Sequence, residues 1–203
     1  AVKAGSPTAW GPKHSHDGYA ETVQVLLDHP GYQKPLGKNQ GRGVASGFWF
    51  NGGGESTASV HINEDGTVVI ATGSMDVGGS RASMALMAAE TLGVPYESVR
   101  STVADTASIG YNHVTGGSRV TYATGIAVVE ACNKVIEDLR LRASLMWDTD
   151  IKNVVWSDGY AKPVDPSVGK FEPLSLKAIA GKRAVTGGPI GYEASTNAGG
   201  QAP

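Results

Sequence analysis

The stretch "TGSMDVGGSRASMALMAAETLGVPYESVRSTVADT", residues 72–106, decides the fold. It starts at the end of a β-patterned run, passes a glycine pair followed by Ser80 and Arg81, and turns at once into a helical pattern. Met84, Met87, Ala88 and Leu92 fall on one helical face. Ser80 stands where an N-cap belongs, and Gly93 with Pro95 ends the helix, predicted over 80–92. "SVRSTVAD" (98–105) then reads as a strand. Immediately upstream, "STASVHINEDGTVVIATGSM" (56–75) reads as a hairpin. Val60 and Ile62 alternate with Ser59, His61 and Asn63, Asp65-Gly66 makes the turn, and Val68 and Ile70 alternate on the return.

Working outward, "GRGVASGFWFN" (41–51) is β-rich, and "HDGYAETVQVLLDHPGY" (16–32) sets Val23, Leu26 and Leu27 at helical spacing until Pro30-Gly31 stops it. On the other side, "TASIGYNHVTGG" (106–117) is too long and too glycine-marked for a plain connector. Ser118 opens the longest predicted helix, 118–145, with Val128, Cys132, Val135 and Leu139 on one stripe. "NVVWSDGYAKP" (153–163) predicts a short hairpin turning at Asp158-Gly159, and "PLSLKAIAG" (173–181) a short helix. The end, "PIGYEASTNAGGQAP", is polar and glycine-rich, shows no terminating element and reads as cut off. These elements predict an α+β fold, a mixed sheet from 41–75 and 98–105 packed against helices 80–92 and 118–145, as one domain or two α/β subdomains. The expected division is a lead and helix over 1–40, an α/β core over 41–148, and a smaller, truncated C-terminal segment over 149–203.

Composition narrows the function. With 17 basic and 19 acidic residues in 203, there is no global basic field, so nucleic acid and anionic membrane are not expected partners. No run of about 18 apolar residues is present to span a bilayer. The first residues lack an apolar signal core and read as a lead continuing from something upstream. A single cysteine, Cys132, precludes an intrachain disulfide and any multi-cysteine metal or iron–sulfur site. It fits a cytoplasmic location, with the periplasm as the alternative. On the apolar stripe, Cys132 reads as core. Glycine, 28 of 203, is about twice its ordinary frequency, and its clusters between apolar segments point to tight turns and close backbone approach.

One local pattern occurs twice: "GGSRAS" (78–83) and "GGSRVT" (116–121), each before a helix. A helix start exposes unpaired N–H groups at the positive end of its dipole. Glycine removes obstructing side chains, serine adds a hydroxyl and arginine a forked donor suited to phosphate. Two such turns brought together could hold a diphosphate or another polyanionic cofactor. The plainer reading stays open: serine caps, glycine shapes the turn, arginine is solvated. Neither turn is GxGxxG or GxxxxGK[ST], which disfavours an ordinary dinucleotide or P-loop site. His61 reads as lying on the polar strand face, His14 and His16 as lead residues, Glu55 as a solvated carboxylate, and His113 as a loop histidine open to either role.

The order "NEDGTVVIATGSMDVGG", "AAETLGVPYESVRSTVADT", "GGSRVTYATGIAVVEAC" resembles the molybdopterin-binding large subunit of the xanthine dehydrogenase / aldehyde oxidase / carbon monoxide dehydrogenase family, best over 41–145. The resemblance implies part of a molybdenum hydroxylase, oxidising an aldehyde, an N-heterocycle or a similar carbon centre with oxygen from water. Electrons would leave through iron–sulfur and flavin domains or subunits, the partners implied along with the remainder of the molybdenum subunit. The implied cofactor is molybdopterin, alone or as a dinucleotide, with molybdenum held by the pterin dithiolene and no protein ligand.

The implied cofactor-binding residues are Gly78, Gly79, Ser80 and Arg81 in the first turn and Gly116, Gly117, Ser118 and Arg119 in the second, with Thr121 beyond it. Phe48 and Trp49 fall near the family's substrate-pocket aromatic. The family's Gly-Gln-Gly first turn, its upstream glycine–phenylalanine motif and its late Gly-Glu general base are not matched, and Glu193 sits in a different context. No catalytic residue is therefore assigned, and the chain alone is expected to be inactive. Two alternatives are a non-catalytic scaffold or assembly module of the same fold and a phosphate-ligand binding protein.

Overall fold

The computed structural model describes residues 3–8, 13–16, 18–47, 49, 52–103, 106–167 and 171–199. The chain divides into two units, Ala1–Gly52 with Gly200–Pro203, and Gly53–Gly199.

The first unit carries α1 (Gly18–Asp28) and α2 (Pro30–Gln33), the break falling where Pro30 starts a new helix at its first position. The His29 ring accepts the Gly31 N–H at 3.0 Å. No residue of α1 is buried. The β-rich reading of 41–51 is corrected here: residues 41–47 form no strand, and Phe48, Phe50 and Asn51 lie outside the described residues. Three glycines in these seven residues, 41–47, disfavour a strand.

The second unit is α+β. Its main sheet has the order β3-β2-β1-β7, built from β1 (Gly54–Ile62), β2 (Val68–Thr72), β3 (Val99–Val103) and β7 (Ile190–Ala198). β1 and β2 form the hairpin around Asp65-Gly66, with Val60 opposite Ile70. The Asp65 carboxylate accepts the Thr67 N–H at 2.9 Å, fixing the turn. α3 (Ser80–Leu92) carries the chain across to β3, which runs parallel to β2 with Val68 opposite Val99. A π-helical turn, Val120–Thr124, leads into α4 (Gly125–Trp147). Ala58, Val60, Ile62, Val68 and Ile70 from the sheet meet Met84, Ala88 and Leu92 of α3 and Val128, Cys132, Val135 and Leu139 of α4 in one core. Each fully buried aliphatic side chain there contributes roughly 1.5–3 kcal/mol of transfer free energy.

A smaller sheet, β4-β5-β6, joins β4 (Val154–Ser157), β5 (Tyr160–Pro163) and β6 (Leu174–Ser175), followed by α5 (Leu176–Ala180) and α6 (Arg183–Thr186). It meets the end of α3 closely. The Trp156 indole donates to the Leu92 carbonyl at 2.9 Å, and Gly93 backs onto Gly159 so tightly that a Cβ there would lie 2.4 Å from the Gly159 nitrogen.

Two further expectations are corrected. The C-terminal stretch is not without an element: β7 pairs along its whole length with β1, from Gly54 opposite Ala198 to Ile62 opposite Ile190. Residues up to 199 therefore belong with the second unit. Ser80 is not the N-cap of α3: Gly79 is, in the left-handed conformation at φ +81°. Ser80 is the buried first helical residue, its hydroxyl donating to the Met75 carbonyl at 3.1 Å.

Candidate functional site

Because β2 and β3 are parallel, both strands end at one edge of the sheet, at Thr72 and Val103. β1 begins and β7 ends at that edge, since Ala58 pairs with both Thr72 and Ala194. The chain enters α3 and α4 from the same edge, which is where α/β folds place ligands. A hollow of about 380 Å³ opens there, lined by Glu55, Ser56, Thr57, Gly110, Tyr111, Ser195, Thr196 and Asn197.

A hydrogen-bonded chain ties the edge together. Thr124 Oγ1 lies 2.7 Å from Ser74 Oγ and 3.3 Å from Ser56 Oγ, joining the start of α4 to the ends of β2 and β1. Asn112, in the long loop, accepts from the Thr57 N–H at 3.3 Å and donates to the Thr57 carbonyl at 3.2 Å. It lies against Gly73, where a Cβ would stand 2.8 Å from Asn112 Nδ2. The loop before α4 thus rests on the strand end before α3.

The two glycine turns behave differently. In the first, Gly78 (φ +71°) and Gly79 (φ +81°) are left-handed, and a Cβ on either would meet nothing within 4 Å. Asp76 closes this turn: its carboxylate accepts the Arg81 N–H at 3.0 Å and the Arg81 guanidinium at 2.7 Å. The Arg81 main-chain N–H, then its guanidinium, hold the Asp76 carboxyl below the usual carboxylate range.

In the second turn Gly117 and Ser118 are left-handed at φ +66° and +54°, and Gly116 faces open space. Thr121 lies exposed on the π-helical turn. Arg119 points inward and is 1% exposed. It donates to the carbonyls of Gly53, Glu55 (2.6 Å) and His113 (3.1 Å) and to Ser56 Oγ (2.5 Å). Burial lowers its pKa, yet a guanidinium stays protonated in a protein interior. Gly54, at φ +90°, makes room for this: a Cβ there would lie 3.2 Å from the His113 ring and 3.6 Å from Arg119 Nε.

The structure therefore sets Gly78, Gly79, Gly116, Gly117 and Ser118 around one sheet edge while turning Arg81 to Asp76 and Arg119 into the protein. Phe48 lies outside the described residues, and Trp49, exposed, belongs to the first unit. Sequence reading passed over Ser56, Thr57, Ser74, Asn112, Thr124, Ser195 and Thr196. One signal was available: Thr124 stands four residues before Val128 on the buried stripe, a hydroxyl at a core position. Thr196 Oγ1, beside the hollow, is buried and has no hydrogen-bond partner.

Residues 29–201 match the family described as molybdopterin cofactor-binding domain. The chain belongs to that family. Its cofactor is accordingly molybdopterin, and proteins named xanthine dehydrogenase and aldehyde oxidase 1 are among those it resembles. The aldehyde oxidoreductase molybdenum-binding subunit PaoC of Escherichia coli K12 is 39% identical over 98 residues, 48% of this chain and 13% of that protein. The nicotine 6-hydroxylase large subunit of Paenarthrobacter nicotinovorans is 25% identical over 166 residues, 71% of this chain and 20% of that protein.

Among solved structures, the Cu,Mo-CO dehydrogenase in its carbon monoxide reduced state superposes with a TM-score of 0.64 at 20% identity. The match covers 75% of this chain and 21% of that one. Quinoline 2-oxidoreductase from Pseudomonas putida 86 gives 0.61 at 20% identity, over 72% and 20%. At these identities the likeness is one of fold. The chain spans about a fifth or less of the length of these proteins. Among the described residues, no helix is long and apolar enough to cross a membrane.

The residues present fit such a cofactor. Glycine turns whose Gly78, Gly79 and Gly116 face open space precede two helices at one end of the sheet, and the hollow at that end is lined by hydroxyls, one of them, Thr196 Oγ1, buried without a partner.

Proposed function

We propose that this chain is the cofactor-cradling segment of a molybdenum hydroxylase, in which the turns at 78–79 and 116–118 receive the polar, phosphate-bearing part of molybdopterin. The family match over 29–201, together with two glycine turns before helices at one sheet edge, carries this reading. When bound, the molybdenum centre supplies the oxidation of a carbon centre, in an aldehyde or N-heterocycle, with oxygen from water. The chain's own part is to hold and orient: Gly78, Gly79, Gly116 and Gly117 let the cofactor approach the main chain closely, and Ser118 and Thr121 stand beside them. Ser80 and Arg81 contribute by building the first turn, and Phe48 and Trp49 are the candidates for the substrate pocket. The general base and the electron path come from the remainder of the molybdenum subunit and from iron–sulfur and flavin partners, so the isolated chain does not turn over.

The test is to produce the chain with those partners in a host that makes the cofactor, and to measure pterin and molybdenum per chain. Pterin retained by the parent and lost in Gly79→Val and Gly117→Val supports the reading. A parent without pterin, or both variants fully loaded, overturns it.

One observation favours the second reading, a scaffold module with a disused site: the Asp76 carboxylate already occupies the start of α3. In that case the complex assembles and the parent carries no pterin.

A further inference from the structure

Of the nine residues of β7 only Ile190 and Ala194 are buried, against five of the nine in β1. The strand is entered through Gly187 (φ +132°), Gly188 (φ +85°) and Pro189, and glycines are costly to order. What α4 adds is polar. Lys134, Asp138 and Arg142, spaced four apart, share one face of that helix and reach β7 and its entry turn. Arg142, 3% exposed, donates to the Gly188 carbonyl at 2.8 Å, the Pro189 carbonyl at 3.4 Å and Thr186 Oγ1 at 3.3 Å, and pairs with Asp138 at 2.9 Å. Tyr192 hydrogen-bonds Asp138: burial, then the Asp138 charge, raise its hydroxyl above the ordinary value, so it stays protonated and donates. Lys134 donates to the Glu193 carbonyl at 2.7 Å. These contacts all fall on residues 186–193. The far end of the strand builds the hollow: Ser195, Thr196 and Asn197 form one wall, with Ser195 Oγ 3.1 Å from Thr57 Oγ1 on β1. At roughly 3.3 Å per residue, Ile190 and Thr196 stand about 20 Å apart.

We propose that β7 is a strap that undocks from β1 as a unit while the rest of the sheet stays folded, that the Lys134–Asp138–Arg142 face of α4 is its latch, and that the hollow is complete only while the strap is docked. β7 is the edge strand next to β1, and with two buried apolar side chains it gains little from burial. Elements of that kind open at a lower free energy than the core. The Arg142 fork offsets this by bonding two successive carbonyls of the entry turn. Arg142 acts on the hollow through β7, and is a positioning residue. Whatever binds in the hollow stabilises the docked strap, and by linkage the closed latch favours that binding.

The experiment is native-state hydrogen exchange of the full chain in rising, sub-denaturing urea, read at the β7 amides bonded to β1 and at the amides of β2. In the parent the β7 amides exchange about tenfold faster than those of β2 or more, at rates that low urea leaves unchanged, the mark of local opening. Arg142→Lys keeps the charge and loses the fork, and speeds β7 exchange about tenfold further with β2 unchanged. Thr57 and Ser195 stand directly opposite each other, so a disulfide between Thr57→Cys and Ser195→Cys locks the strap. Its oxidation slows β7 exchange towards the β2 rate and abolishes the effect of Arg142→Lys. If Arg142→Lys does not fold, Lys134→Met takes its place: β7 exchange rises about threefold with the urea midpoint at parent level. The proposal is overturned if β7 and β2 of the parent exchange at one rate with one urea dependence, because β7 then opens only with the whole unit. It is equally overturned if the latch variant speeds both strands alike, which marks a structural role without a latch, or leaves β7 exchange unchanged.

Discussion

Asp76 accepts the main-chain N–H of Arg81 at 3.0 Å and its guanidinium at 2.7 Å, so the start of α3 is capped by a carboxylate from five residues upstream. The same sequence pattern before α4 has no such carboxylate upstream; position 114 is a valine, and Arg119 turns inward. One GGSR turn is closed by its own carboxylate, and the other sends its arginine into the protein.

Asp76 makes the first turn sensitive to acid. Its carboxyl is held below the ordinary 3.8, so the cap contributes stability that is fully present above that value and is lost as pH falls through the lowered folded value. Asp76→Asn is expected to lower the urea midpoint at neutral pH, with the gap to the parent closing in acid. A gap that is unchanged or wider in acid would contradict this.

Two glycines should separate stability from ligand binding. Gly93→Ala places a Cβ 2.4 Å from the Gly159 nitrogen at φ +71°, and is expected to cost about 1–3 kcal/mol or more in urea unfolding. Gly116→Ala faces open space without positive φ and should change stability by no more than ~0.5 kcal/mol. In the loaded complex its added methyl should nevertheless reduce pterin content. Equal effects of the two substitutions on unfolding would show that the turns are packed alike.

Thr124 tests the network behind the site. Thr124→Val keeps the shape of the side chain but leaves Ser74 and Ser56 without their shared partner, at a cost of roughly 1–3 kcal/mol. Calorimetric unfolding measures it, and a variant as stable as the parent would mean that the hydroxyls find replacements.

Cys132 should be inert in the folded protein. Burial pushes its thiol up to about 12, far from the thiolate range at neutral pH. Maleimide labelling should be slow under native conditions and immediate in denaturant. Rapid native labelling would place the cysteine at the surface.

Much of the second unit was legible from the chain because its signals are local. The alternation of Val60, Ile62, Val68 and Ile70 around Asp65-Gly66 specifies a hairpin, and the Val128–Leu139 stripe specifies a helix face, wherever the rest of the chain goes. The strand at 190–198 was not legible: Gly191, Glu193 and Asn197 are poor strand formers, and the segment becomes a strand because β1 presents a free edge to it.

The sequence by itself determined the periodic elements, the glycine turns and the absence of a disulfide framework, since each follows from side-chain spacing over a few residues. Tertiary structure alone decided that Arg81 would meet Asp76, that Arg119 would clamp Gly53, Glu55, Ser56 and His113, and that β7 would complete the sheet. The physical reason is reach. A guanidinium bonds to whichever oxygens the fold brings within about 3 Å, and the carbonyls around Arg119 belong to residues as many as 66 positions away.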